Sequence, residues 1–124
     1  MTSSSAPTAS RPEAARNVWL ATVRPDGRPH LVPIWFVTVA DRWYLCTAPG
    51  SVKARNLGAN PHVALALENG DQPYIVEGQA RPVTPDPDVI AQFKAKYDWD
   101  ITTDPHYTQV FAVVVSRRVM GSSS

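Results

Sequence analysis

Short apolar runs separated by turn signals are the feature that most restricts how this chain can fold. Six runs rich in β-branched and aromatic residues have the length of β-strands, and Pro, Gly, Asn or Asp residues stand between most of them. The predicted strands cover residues 17–24, 28–39, 43–47, 62–68, 73–84 and 108–119. A sheet this apolar has exposed edges unless it closes on itself. The pattern therefore predicts an all-β domain, a six-stranded antiparallel barrel with two short helices.

Two segments interrupt the strand pattern with helix signals. Ser51 follows a Pro-Gly pair and is a good N-cap, and Asn60-Pro61 must end the helix that it opens. A second, amphipathic helix opens at residues 85–88 and runs to about residue 97. The apolar face of this second helix is formed by Val89, Ile90, Phe93 and Tyr97. Gly78 is expected to form a bulge in the fifth strand.

Composition excludes several classes of protein. With 124 residues, 44% of them hydrophobic, and a net charge of +1, the chain suits one domain and needs no polyanionic partner. The basic residues are scattered, so nucleic-acid binding is not expected. The longest apolar run, residues 110–115, is too short to span a membrane. The single cysteine, Cys46, excludes an intramolecular disulfide and fits a reducing compartment.

These features favour a cytoplasmic protein with one ordered domain. Residues 1–10 are rich in Ser, Thr, Ala and Pro and are predicted to be a disordered tail. The domain is expected to cover residues 11–121, and residues 122–124 are expected to be a loose C-terminus.

The start of the first predicted helix carries cations where the helix dipole disfavours them. Lys53 and Arg55 lie in the opening turn or just past it, and no Glu closes a capping box with Ser51. Free backbone N–H groups, a hydroxyl and two cations form a candidate site for an anion, above all a phosphate. The alternative is a solvated basic helix that links two strands. The residues alone leave both interpretations open.

A proline interrupts the second predicted strand, in the run LVPIWF at residues 31–36. Pro33 cannot donate to a sheet ladder, so it must lie at an edge or a bulge. Such an edge leaves neighbouring backbone groups free for a ligand, and Trp35 and Phe36 add flat apolar surface. A planar heteroaromatic along this strand, with its phosphate on the first helix, would use both anomalies. The alternative is an ordinary barrel edge whose proline guards against aggregation.

No pattern predicts catalysis by side chains alone. His30, His62 and His106 lack metal-ligand spacing, and Cys46 has no evident base. Motifs of serine hydrolases, paired carboxylates and phosphate-binding P-loops are missing from the sequence. If the protein is an enzyme, a bound cofactor is expected to carry the reactivity while the protein orients it.

Two segments together resemble the pyridoxamine 5′-phosphate oxidase-like superfamily, whose members have the FMN-binding split β-barrel fold. They are TVRPDGRPHLVPIWF at residues 22–36 and SVKARNL at residues 51–57, the second followed by Asn60-Pro61. The resemblance extends over residues 17–121. Within the superfamily the chain is most similar to short actinobacterial flavin/deazaflavin oxidoreductases, many of which use the deazaflavin coenzyme F420 in place of FMN.

This resemblance implies a homodimer with FMN or coenzyme F420 bound at the subunit interface. Ser51 and Lys53 would hold the cofactor phosphate, with Thr47 as a second phosphate-side contact. Arg55 and Asn56 would support them. The ribityl chain and ring would run, largely through backbone contacts, beside His30, Leu31, Val32, Pro33, Ile34 and Trp35.

Two further assignments concern the rest of the site. Tyr74 would approach the cofactor from the partner subunit. Trp99 and Tyr107 are candidates for the substrate side, although no motif supports them.

The sequence departs from the true oxidase in three ways. Val52 stands where that enzyme has a second basic phosphate ligand, and Trp35 replaces a lysine at the end of the ring-contacting strand. The C-terminal segment that binds pyridoxamine phosphate is missing after residues 116–121. Oxidation of vitamin B6 is therefore not expected. Loss of a phosphate cation favours F420 over FMN, although Arg55 could compensate.

The residues and the resemblance together predict a flavin- or F420-dependent oxidoreductase that transfers a hydride to or from a small organic substrate. Hydride transfer itself needs no acid or base, so no catalytic side chain and no metal is assigned. The alternative is a non-catalytic carrier of flavin, haem or a tetrapyrrole on the same barrel, since fold alone does not fix function. A third possibility is a dimeric scaffold whose site has decayed.

Overall fold

The predicted β-rich architecture with two helices is confirmed, but the sheet has seven strands rather than six. The computed structural model describes residues 11–121; residues 1–10 and 122–124, predicted to be tails, lie outside the described residues. The strands are β1 (Val18–Val23), β2 (Pro29–Ile34), β3 (Phe36–Val39), β4 (Arg42–Thr47), β5 (His62–Leu67), β6 (Ile75–Val83) and β7 (Gln109–Met120). The helices are α1 (Val52–Ala59) and α2 (Pro87–Tyr97).

All strands belong to one antiparallel sheet with the order β2-β1-β5-β6-β7-β4-β3. The two end strands, β2 and β3, are consecutive in the chain and are separated only by Trp35. Because one continuous segment supplies both edges, the sheet must curl until the edges approach each other. The result is a half-barrel with a seam at Trp35.

The predicted second strand, residues 28–39, was wrong as a single strand. The structure divides it into β2, which pairs with β1, and β3, which pairs with β4 on the other side of the seam. At the break, the Phe36 N–H donates to the Tyr97 hydroxyl over 3.0 Å. The single hydroxyl hydrogen of Tyr97 faces two carbonyl oxygens, that of Arg16 at 2.7 Å and that of Phe36 at 2.9 Å. A side chain of α2 therefore satisfies backbone groups that a continuous strand would have paired.

The prediction that Pro33 lies at an edge is confirmed. The Arg24 N–H donates to the Arg28 carbonyl over 2.9 Å at the turn between β1 and β2. Antiparallel ladders alternate, so the even-numbered residues of β2 bond to β1 and the odd-numbered ones face outward. Pro29 and Pro33 are both odd-numbered and cost the ladder no hydrogen bond. The free edge presents the Leu31 N–H and the carbonyls of Leu31 and Pro33.

Apolar clusters lie on both faces of the curled sheet. The larger fills the inside of the curl and includes Leu20, Phe36, Leu45, Leu65, Phe111 and Val113. The smaller lies on the outside, where α2 covers β4 and β7 through Val89, Phe93 and Tyr97. This confirms the predicted apolar face of α2, which begins after the N-cap Asp86.

Helix α1 begins and ends where the sequence predicts. The Ser51 hydroxyl accepts a hydrogen bond from the Ala54 N–H over 3.3 Å, and Asn60 is the C-cap. The Asn56 amide donates to the Thr22 hydroxyl of β1 over 3.0 Å, and both side chains are buried. This bond fixes α1 against the end of the sheet beside β2.

The β6–β7 ladder contains the expected bulge. Its register shifts between Glu77 and Gly78, and a Cβ added at Gly78 would overlap the Val114 carbonyl oxygen. Only glycine permits this close approach of two backbones. Within residues 11–121, neither helix has the length and hydropathy needed to cross a membrane.

Candidate functional site

A pocket of about 420 Å³ lies beside the seam of the sheet. Its lining combines the end of β2, the start of α1 and the segment between α2 and β7: Asn17, Pro33, Ile34, Trp35, Cys46, Lys53, Trp99, Asp104 and Tyr107. Small-molecule sites commonly have volumes of roughly 300–1,000 Å³ and apolar walls with a few polar groups. The pocket thus joins the proline-interrupted strand and the basic helix start, the two features that the sequence singled out separately.

Four of the predicted site residues line this pocket, namely Pro33, Ile34, Trp35 and Lys53. Lys53 is partly buried in the first turn of α1, which has no acidic residue. Among residues 11–121, the recorded ion pairs leave the Lys53 ammonium without a carboxylate. The structure therefore places at the pocket a cation that forms no ion pair within the described residues.

The other predicted residues of β2 lie further along the strand. Leu31 is 60% exposed, and Val32 is partly buried. His30 lies directly opposite Thr22, the residue that anchors α1. Its Nδ1 atom is buried without a hydrogen-bond partner among the described residues. Burial, followed by the nearby charges of Arg24 and Lys53, lowers the pKa of His30.

Three predicted phosphate contacts have hydrogen-bond partners within the chain. The Thr47 hydroxyl is buried and donates to the Gln109 carbonyl over 3.2 Å. Ser51 caps α1, and Asn56 holds α1 to β1. Arg55 is exposed on α1. The roles proposed for these four residues toward a phosphate stay predictions.

Tyr74 lies away from the pocket within one chain. It lines a second cavity with Trp43 and Arg118, and the Arg118 guanidinium lies 5.2 Å from its ring centroid. Its approach to a cofactor from a partner subunit stays a prediction.

Aromatic rings form much of the pocket wall. Trp35 stacks on Tyr97, with centroids 4.4 Å apart and planes 9° from parallel. Trp99 meets Trp35 edge-on at 5.8 Å, and Tyr107 meets Trp99 edge-on at 6.0 Å. Such edge-to-face and stacked pairs stabilise fixed ring positions. Trp99 and Tyr107, for which the sequence offered no motif, do line the pocket.

Three lining residues were not predicted: Asn17, Cys46 and Asp104. Cys46 is buried in β4, within the predicted strand 43–47, and burial, with the charge of Asp104, raises the pKa of its thiol to about 12. A thiol of this kind is not a nucleophile at neutral pH. Within residues 11–121, no group of three or more His, Cys, Asp or Glu side chains is placed to hold a metal ion.

Asp104 organises the segment that closes the pocket. Its carboxylate accepts from the His106 N–H at 2.8 Å, the Tyr107 N–H at 2.9 Å and the Trp99 indole N–H at 3.0 Å. The backbone hydrogen bond from Tyr107, then that from His106, lowers the pKa of Asp104. The sequence signal was available: an Asp before Pro-His-Tyr favours a local turn in which the carboxylate accepts backbone N–H groups.

Fold and pocket together define a class, a β-rich half-barrel with a site of small-molecule size at its seam. Comparison with known proteins then identifies the family. The chain belongs to the pyridoxamine 5′-phosphate oxidase family, whose profile matches residues 9–118. The resemblance predicted from the sequence is confirmed. A search of curated proteins gives no match.

Solved structures with this fold include proteins of several kinds. One named an F420 reductase is 27% identical, with a TM-score of 0.68 over 88% of this chain and 90% of that one. HutZ, a haem storage protein from Vibrio cholerae, is 21% identical, with a TM-score of 0.72 over 86% and 89%. An FAD-binding protein from Mesorhizobium loti is 22% identical, with a TM-score of 0.66 over 86% and 83%. The last two likenesses show the fold alone. The family is named for an oxidase and the 27% identical structure for an F420 reductase, so oxidoreductases occur among the proteins that this chain resembles.

Proposed function

We propose that the protein is a cytoplasmic, homodimeric oxidoreductase that transfers a hydride between a flavin-type cofactor and a small organic substrate. The observation that carries this proposal is the meeting of Lys53 with Pro33 and Trp35 in one pocket. A cation at a helix start suits a phosphate, and a free strand edge beside an aromatic ring suits a flat heterocycle.

The residues present fit such a cofactor. Lys53 lies in the first turn of α1, where backbone N–H groups also favour an anion. The buried, unpartnered Nδ1 of His30 lies on β2 near this helix and marks a place where a polar contact is still unmade. In this arrangement Lys53 would hold the phosphate, and the outward-facing backbone of β2 at Leu31 and Pro33 would be available to the ring.

The chain's own part in the reaction is binding and positioning. A bound flavin or deazaflavin supplies the hydride chemistry. Trp35 and Trp99 form apolar walls of the pocket, against which a flat ring could pack. No side chain is assigned as acid or base, and the Cys46 thiol stays protonated because burial raises its pKa.

Within this proposal coenzyme F420 is favoured over FMN. The start of α1 carries Val52 where the true oxidase has a second basic phosphate ligand. Arg55 is exposed, so it would replace that cation only weakly. The 27% identity to a protein named an F420 reductase, over 88% of the chain, supports the same choice.

The homodimer of the proposal would use the outer face of β1 and β2. Trp19 is 40% exposed, Leu31 is 60% exposed, and both lie on this face with Pro33 and Ala21 between them in the register. Contiguous apolar surface of this kind is typical of a protein–protein interface. A second copy docked there would lie beside the free edge of β2 with the cofactor site between the two copies, and we assign Tyr74 to the partner's side of that site.

A carrier of haem is the second candidate, supported by the likeness of fold to HutZ. Haem iron needs an axial ligand such as His, Met, Tyr or a Cys thiolate. In the described part of the chain, Tyr107 and the protonated Cys46 are the only such side chains at the pocket. The pocket chemistry therefore supports the flavin-type cofactor over haem.

The deciding experiment is the absorbance spectrum of protein purified from its native host, because flavin, deazaflavin and haem have distinct bands. We expect a deazaflavin or flavin spectrum, and we expect an oxidised quinone-type acceptor to reoxidise the reduced cofactor on turnover. A haem spectrum, or tight cofactor binding without any turnover of quinone-type acceptors, would contradict the oxidoreductase.

A further inference from the structure

The segment between α2 and β7 supplies one side of the pocket, which we call the loop wall: Trp99, Asp104 and Tyr107. Neither family motif in the sequence covers this segment. The loop wall combines two aromatic rings with a carboxylate, and it lies in the same pocket as Lys53. Among residues 11–121 no ion pair joins Asp104 to Lys53, so the pocket keeps one anionic and one cationic position.

The Asp104 carboxylate retains one acceptor position. A carboxylate offers about four acceptor positions, two on each oxygen. Oδ1 accepts two backbone N–H groups, from His106 and Tyr107, whereas Oδ2 accepts only the Trp99 indole N–H. The remaining position therefore belongs to Oδ2. Because these bonds lower the pKa of Asp104, the group is an acceptor and not a donor at neutral pH.

The surroundings of Asp104 restrict what can use this position. Ile34, Trp35 and the Cys46 thiol are apolar neighbours in the pocket lining. A second anion placed beside the Asp104 carboxylate would meet a like charge, which is unfavourable. A flat, uncharged group with one donor would bury its ring against Trp99 and Tyr107 and satisfy the carboxylate.

We propose that the loop wall is a subsite for a planar, uncharged ring that donates an N–H or O–H hydrogen bond to Oδ2 of Asp104. The inference rests on the proposed function, since it names what that pocket binds opposite β2. The ring is either part of the small-molecule substrate or part of the cofactor, because both chemistries include flat rings with donors.

The test compares two probes of nearly equal size on the purified full chain, 2-naphthol and 2-methoxynaphthalene. Binding is followed through the indole N–H signals of the four tryptophans in NMR titrations, with Trp99→Phe assigning the Trp99 signal. We expect 2-naphthol to bind about tenfold or more tightly than 2-methoxynaphthalene, the loss typical of a hydrogen bond to a charged acceptor. We expect the Trp99 signal to shift when 2-naphthol binds.

Three variants locate the effect. Asp104→Asn should reduce the preference for 2-naphthol to less than about threefold, since it removes the charge from the acceptor. Asp100→Asn is the matched control: Asp100 lies on the same segment, is exposed and accepts from the Thr102 N–H, and its replacement should leave the preference unchanged. Trp99→Phe frees a further position on Oδ2, so it should keep or enlarge the preference even if Asp104→Asn fails to fold.

Equal affinity of the wild-type protein for 2-naphthol and 2-methoxynaphthalene would overturn the subsite. So would a folded Asp104→Asn variant that keeps the full preference, or a Trp99→Phe variant that loses it.

Repeating the titration with protein saturated by FMN distinguishes the two sources of the ring. Competition between FMN and 2-naphthol assigns the subsite to the cofactor ring, and simultaneous binding assigns it to the substrate; either result upholds the subsite. The proposed function can fail separately. If neither FMN nor F420 binds while the 2-naphthol preference holds, the cofactor assignment is lost and the subsite stands.

Discussion

Replacement of Lys53 by alanine is the most direct perturbation of the candidate site. Among residues 11–121, Lys53 is the only cationic side chain in the pocket lining. A hydrogen bond to a charged group contributes about 1.5–3 kcal/mol. Lys53 is only partly buried, so solvent screening places the expected loss toward the lower end of that range. Since about 1.4 kcal/mol equals a factor of ten, FMN and F420 should bind at least about tenfold more weakly.

The same change should not damage the fold. Lys53 lies in the first turn of α1, where a cation opposes the helix dipole by about 0.3–1 kcal/mol. The ligand-free Lys53→Ala protein should therefore be as stable as the wild type or slightly more so. A residue that weakens its own helix but strengthens ligand binding has the signature of a binding residue.

Calorimetric titration at low and high salt, with urea unfolding of the ligand-free protein, measures both effects. Lys94→Ala is the control, because Lys94 is an exposed cation on α2 that pairs with Asp98 at 2.7 Å. It should leave cofactor affinity unchanged. If Lys53→Ala binds both cofactors as tightly as the wild type, the phosphate assignment is refuted. If the ligand-free variant is clearly less stable, Lys53 is a structural residue.

Three further predictions concern the scaffold. Gly78→Ala should lower the free energy of unfolding by about 1–3 kcal/mol, since its Cβ would overlap the Val114 carbonyl oxygen. Tyr97→Phe should cost about 1–3 kcal/mol, because it leaves the buried Phe36 N–H without its acceptor. Burial, and then the charge of Arg16, lowers the pKa of Lys96 to about 8 from 10.5. Between these two values Lys96 binds a proton in the unfolded chain more often than in the folded chain. The free energy of unfolding should therefore rise between pH 8 and about 10, relative to Lys96→Met.

Urea unfolding measures all three, and each has a matched control. Gly58→Ala, where a Cβ meets open space inside α1, should stabilise by up to about 1 kcal/mol. Tyr107→Phe removes an exposed hydroxyl and should be nearly neutral. If the free energy of unfolding, relative to Lys96→Met, does not change between pH 8 and about 10, the lowered pKa of Lys96 is contradicted. The contacts of its ammonium with the Phe36 ring, at 3.8 Å, and with the Phe36 carbonyl would then offset its burial. Equal stability of the Gly78 and Gly58 variants would contradict the bulge argument.

Local patterns in the sequence were enough to predict most elements. Alternation of apolar residues gave the strands, and Ser51 with Asn60-Pro61 gave both ends of α1. Pro33 predicted a sheet edge because proline has no backbone N–H to donate to a neighbouring strand, whatever the rest of the fold. The break at Trp35 was missed, since the acceptor for the Phe36 N–H is Tyr97, 61 residues further along the chain.

The site residues also divide into those that a local pattern predicts and those that no local pattern predicts. Lys53 and Pro33 were found because each violates a local rule, one for helix charge and one for strand pairing. Asp104 and Cys46 violate none: the first makes an ordinary turn, and the second is an ordinary strand residue. Only the curl of the sheet brings them to the pocket, and no pattern along the chain records that curl.

The hydrogen bond from the Phe36 N–H to the Tyr97 hydroxyl has a consequence for the order of events during synthesis. The seam strands emerge from the ribosome early, yet the hydroxyl that joins them arrives only with the end of α2, and Asp104 follows later still. Most of the chain must be translated before the cavity can exist. If the protein binds a cofactor as proposed, the complete pocket would become available to it only after most of the chain has been synthesised.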